Sequence, residues 1–125
     1  MINGFTLQET TTAPAASAEI LSGVQKAWGF VPNLHHVLAE SPAALEAYST
    51  LWGIAEKTGF TPQERNIAYI AIIYENECTY CMAGHTNLSR VAKVEPEAIS
   101  AVRKGRPIGD PKLRSPAPVR SQSDA

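Results

Sequence analysis

Residues 61–78, TPQERNIAYIAIIYENEC, decide the fold of this chain. The run IAYIAIIY at 67–74 is apolar on every side and partly β-branched, so periodicity alone allows a buried strand or a buried helix. The residues before it separate the two. Thr61-Pro62-Gln63-Glu64 reads as a capping box, in which the threonine oxygen accepts from the amide of Glu64 and the Glu64 carboxylate reaches back to the amide of Thr61. With that start, the length from 62 to 76 favours a helix, expected to be fully buried.

Upstream, Ile20, Leu21, Val24, Ala27 and Trp28 share one helical face, and Gly29 stands where a C-terminal cap belongs, which predicts a helix over 17–28. Asn33 is placed to cap a short helix carrying Leu34, Val37 and Leu38. Ser41 followed by Pro42 opens another, with Leu45, Tyr48, Leu51, Trp52 and Ala55 facing inward as far as Gly59. Downstream, a helix is expected from Cys78 to about Val91 with Met82, Leu88 and Val91 in the core, then a short one over 96–104 closed by Gly105. The predicted class is all-α, in one domain with one core. Residues 1–16 form an extended lead-in, 17–110 the helical domain, and 111–125, rich in proline, a mobile tail.

Eleven basic and twelve acidic side chains give a net charge of −1, which implies no general attraction to nucleic acid or anionic lipid. No segment approaches the run of about 18 apolar residues that a membrane span needs, and the amino terminus lacks the pattern of a signal peptide. A soluble cytoplasmic protein is expected. The two cysteines, too few for a secreted disulfide scaffold, sit in one CxxC pair.

That pair lies in ENECTYCMAGHT, residues 75–86. A cysteine at a helix N-terminus has its thiolate favoured by unpaired amides and the helix dipole, which ranks Cys78 as the more acidic thiol. Cys81 follows about one turn later, close enough for a disulfide, and His85 follows Cys81 by four residues on the same face, placed to carry a proton. Glu75 and Glu77 oppose thiolate formation. Two plainer readings stand beside redox chemistry. Free cysteines pack as small hydrophobes, and a zinc site would need a fourth ligand, for which the only other imidazoles are His35 and His36 far upstream. Those two histidines read as a polar helix edge, and Trp28, Tyr48, Trp52 and Tyr74 as core aromatics.

TPQERNIAYIAIIYENECTYCMAGHT resembles the core motif of the carboxymuconolactone decarboxylase and alkylhydroperoxidase D superfamily, a buried helix followed by CxxCxxxH opening the next. GFVPNLHHVLAESPAALEAY, residues 29–48, is similar to the segment before that core in the peroxidase-related members. The resemblance covers roughly residues 17–110. It implies an alkylhydroperoxidase D-like helical bundle, obligate homo-oligomers, and thiol-dependent reduction of a hydroperoxide substrate, with a dithiol or lipoyl-type partner protein as reductant and no metal or other cofactor. Carried over, Cys81 attacks peroxide, Cys78 resolves the sulfenic acid and His85 relays protons.

Two departures qualify the resemblance. The relay glutamate of the family lies twelve residues before the first cysteine, a position held here by Asn66, which cannot carry a proton at neutral pH. Glu64 lies two residues from it and points elsewhere on a helix, Tyr80 stands where some members have histidine, and Glu75 remains a possible relay or pocket residue. Slowed or altered peroxidase chemistry is therefore expected. The chain also reads as shortened at its C-terminus, which would leave part of 67–74 to be covered by another subunit. The competing functions are a redox-sensing or non-catalytic helical oligomerisation module, and a thioredoxin-like disulfide exchanger, which would need 67–74 to be a strand. Lactone decarboxylation, which does not depend on a CxxC pair, fits the intact pair poorly.

Overall fold

The computed structural model describes residues 4–114. It contains, in chain order, α1 (Ala15–Trp28), α2 (Asn33–Leu38), α3 (Pro42–Ala55), α4 (Pro62–Glu75), α5 (Thr79–Val91), α6 (Pro96–Arg103) and α7 (Pro111–Arg114). No strand occurs among the described residues, and the fold is all-helical. Where composition predicted one core, contacts divide the chain between Thr58 and Gly59 into two compact units, each with its own apolar cluster.

In the first unit α3 packs with α1 and α2 around Leu21, Ala39 and Leu45. Helix α1 starts two residues before the expected Ser17. Ala15 and Ala16 carry the best helix propensity, and the Pro14 carbonyl accepts the first bond from Ala18 at 2.9 Å. Ser17 lies inside the helix and is buried. Gly29, at φ 80°, ends α1 in the left-handed conformation that glycine adopts without strain. Pro32, not Asn33, precedes the first turn of α2. The cap of α3 is as expected, with the Ser41 hydroxyl accepting from the Ala44 amide at 3.3 Å. Its inward face runs through Leu45, Tyr48, Trp52 and Ala55, while Leu51, expected inside, falls on the neighbouring face and is 65% exposed.

In this unit His35 is buried, not on a polar edge. Its ring meets Trp28 edge-on at 5.5 Å and Tyr48 at 5.4 Å, and burial and the neighbouring His36 lower its pKa from the usual 6.5. His36 takes the polar role, 2.7 Å from the Gln8 carbonyl and 3.8 Å from Glu9.

In the second unit both halves of the capping box at Thr61 are formed, at 3.2 Å to the hydroxyl and 2.8 Å to the Glu64 carboxylate. The run 67–74 is thus helical, which removes the strand that thioredoxin-like exchange would need. Helix α4 packs against α5, α6 and α7. Ile67 and Ile70 enter the core with Ile99, Val102 and Ile108, Ile73 is buried as well, and full burial of each such side chain is worth about 1.5–3 kcal/mol. The expectation of a helix buried all round does not hold within one chain, since Ile72 is 48% exposed and Tyr74 is also outside.

Helix α5 keeps Met82 on the core side as expected, but its inward face departs from the expected one elsewhere. Met82, Thr86 and Ser89 face the core side and Val91 is 72% exposed. Thr86 and Ser89 are tolerated there because their hydroxyls donate back to the carbonyls of Met82 (2.6 Å) and His85 (2.8 Å). The tail expected from 111 begins instead with α7, whose Leu113 is buried and whose Arg114 donates to the carbonyls of Ile108 and Gly109. Residues 115–125 of that expected tail lie outside the described residues.

Candidate functional site

The approach to the cysteines is set by how α4 stops. The amide of Glu77 donates to the Tyr74 carbonyl at 3.2 Å and the amide of Cys78 to the Ile73 carbonyl at 3.3 Å, the paired bonds of a Schellman ending. Such an ending needs a left-handed residue, and Glu77 supplies it at φ 52° without the freedom of glycine. The chain then reverses at once, and Cys78 becomes the N-cap of α5.

As N-cap, Cys78 accepts the first helical bond at its carbonyl, from Met82 at 2.9 Å, and its Sγ accepts the Cys81 amide at 3.3 Å. The two cysteines are joined in a disulfide, their Cα atoms 5.3 Å apart. Cys78 also lines an open cleft of about 490 Å³, with Ile73, Tyr74 and Met82 as its apolar wall and Glu75 and Glu77 as its carboxylates. Cys81 is not in that wall.

His85, one turn after Cys81, is half-buried and lies edge-on to Tyr69 of α4 at 5.2 Å and 70°. Desolvation lowers its pKa from 6.5, so the imidazole is neutral at pH 7 and ready to accept a proton. Two contacts fix how α4 and α5 align. Tyr69 meets His85, and the Gln63 side chain donates to the Ala92 carbonyl at 3.0 Å.

The remaining predicted residues are dispersed. Asn66 is buried, and its Nδ2 donates to the Pro62 carbonyl at 2.8 Å, so its amide serves its own helix. The carboxylate of Glu64 is held by the Thr61 amide in the capping box, away from the cysteines. Tyr80 is exposed on the first turn of α5, and Glu75 sits in the cleft wall. Tyr69 was not anticipated: its place beside His85 depends on helix pairing that no spacing within one helix reveals. Among the described residues no three His, Cys, Asp or Glu side chains converge as for a metal ion, and no helix is long and apolar enough to cross a membrane.

The model of the carboxymuconolactone decarboxylase family matches residues 42–111, more than half of the chain and all of Asn66, Cys78, Cys81 and His85. A comparison with curated proteins finds no match.

Proposed function

The chain belongs to the carboxymuconolactone decarboxylase family, and from that membership together with its cysteine pair we propose that it is a thiol-dependent peroxidase-like oxidoreductase. The observation that supports this most is the Cys78–Cys81 disulfide at the head of α5, with a half-buried His85 one turn further along. In the proposed cycle His85 takes the proton of the Cys81 thiol. The thiolate attacks the terminal oxygen of a hydroperoxide, an S–O bond forms as the O–O bond breaks, and the leaving alkoxide receives the proton from His85. Cys78 then attacks the sulfenic acid, water leaves and the disulfide forms. A dithiol, of the kind carried by a lipoyl-type partner protein, returns two electrons by exchange and is itself oxidised to a disulfide.

Assigning the attack to Cys81 rests on the family resemblance and on His85; the capped sulfur of Cys78 then resolves. The reading places the protein in the cytoplasm, where a disulfide can be cycled, and as a homo-oligomer in which Ile72 and Val91 gain cover.

A second reading, a redox-sensing module that is oxidised once and does not turn over, draws on one specific feature. Asn66 stands at the relay position and both its amide and the Glu64 carboxylate are engaged elsewhere. Titration of thiols before and after an organic hydroperoxide, with and without dithiol reductant, separates the two. Peroxide consumed in molar excess over protein, only when dithiol is present and not by Cys81→Ser, is the peroxidase outcome. Loss of both thiols without further consumption is the sensor outcome, and thiols that hydroperoxide leaves untouched would defeat both.

A further inference from the structure

Beside the cysteine cleft, and sharing Tyr74 and Glu75 with it, the second unit has another, half-open hollow of about 250 Å³ between α4, the end of α6 and the segment running into α7. Most of its surface is apolar, from Ile67 and Ala71 on α4, Val102 on α6, and Ile108. An apolar hollow offers water few partners and is the usual form of a small-molecule site. Arg106 and Arg114 line the same wall, with Glu75 the single acidic residue among its lining. Arg114 is held in place by its bonds to the carbonyls of Ile108 (2.9 Å) and Gly109 (3.1 Å). Arg106 is exposed and has no carboxylate within ion-pair distance among the described residues.

We propose that this hollow binds an organic acid with an apolar chain, the chain lying against Ile67, Ala71 and Val102 and the carboxylate meeting Arg106. An uncharged chain would fill the apolar wall equally well. What selects the acid is the excess of positive charge, since guanidinium and carboxylate match in a planar, two-point geometry. The volume, just below the range of about 300–1,000 Å³ common for ligand sites, limits the chain to a modest length. The site stands apart from the redox reading, because nothing in it requires the thiols to be reduced.

Calorimetric titration of the full chain in its disulfide form, with octanoate and with octanol as probes, tests this. Octanoate is expected to bind about tenfold more tightly than octanol, the equivalent of one charge-assisted hydrogen bond. Arg106→Gln should abolish that preference, and Ala71→Leu, which fills the hollow, should weaken both ligands. If Ala71→Leu fails to fold, Arg106→Gln decides alone, since Arg106 is exposed. Equal affinity for the two probes, a preference unchanged in Arg106→Gln, or no binding of either would overturn the proposal. So would binding seen only after removal of residues 115–125, which would make the chain's own C-terminal segment the occupant.

Discussion

Gly105 and Tyr74 provide the sharpest quantitative test of the second unit. Gly105 ends α6 at φ 65°, with its amide on the Val102 carbonyl at 3.1 Å and the Arg106 amide on the Ala101 carbonyl at 2.9 Å. A methyl carbon placed on it would lie 2.5 Å from Cζ and 2.6 Å from the hydroxyl of Tyr74. Gly105→Ala therefore meets two separable penalties. The left-handed backbone costs an alanine roughly 1–2 kcal/mol whatever surrounds it. Displacing the Tyr74 ring, which is partly exposed and free to swing at the expense of its packing, adds about 1–3 kcal/mol. Urea denaturation followed by far-ultraviolet circular dichroism, with amide exchange in α6 as the local readout, should show a loss of about 2–5 kcal/mol. In a Tyr74→Ala background only the backbone penalty remains, so the same substitution should cost about 1–2 kcal/mol there. Equal costs in the two backgrounds would show that the ring does not occupy the space above Gly105. Because Tyr74 walls both the cysteine cleft and the apolar hollow, that result would also remove the shared wall between them.

Glu77→Gly should stabilise the chain by about 0.5–1 kcal/mol by relieving the positive φ before Cys78, measurable as a raised denaturation midpoint; an unchanged or lowered midpoint would contradict the Schellman assignment. His85→Gln is expected to slow peroxide consumption by about 10²–10⁴-fold while leaving the disulfide able to form. Since burial holds His85 below its usual pKa, the acid limb of the rate profile belongs below pH 6.5, and a limb above that value would disprove its role as the base. Burial likewise makes folded His35 a poorer proton acceptor than the unfolded residue, so its contribution to stability is full above pH 6.5 and is lost as the pH falls through its depressed folded value. Urea midpoints from the fluorescence of Trp28 and Trp52 should fall over that window, and much less so in His35→Phe; an identical fall in both would refute it. Asn66→Glu, which returns a carboxylate to the relay position, should raise peroxide consumption more than tenfold if relay is what limits the rate, at some loss of stability from breaking the 2.8 Å bond to Pro62. An unchanged rate with the fold intact would assign the limit elsewhere.

Features that depend on neighbours in sequence were legible in advance. The capping box, the serine cap at Ser41 and the glycine at the end of α1 are all short-range hydrogen-bond patterns, and each is present. Inward faces were read less well, because an amphipathic pattern tolerates a shift of one residue: Leu51 and Val91 lie outside, while Thr86 and Ser89 lie inside with their hydroxyls turned back on their own helix. The division at Thr58 was not legible at all, since apolar residues are spread along both halves and only contacts show that they form two clusters.

The sequence by itself determined the helical class, the CxxC pair at the start of a helix, and a histidine one turn beyond it, because those follow from capping chemistry and the 3.6-residue period. Tertiary structure decided which groups surround them. The left-handed turn at Glu77 leaves Cys78 in the cleft wall, and the pairing of α4 with α5 sets Tyr69 against His85. The physical reason is that a helix specifies its own faces through local hydrogen bonds, whereas the register of two packed helices is set by side chains distant in the chain, whose fit appears only once the helices meet.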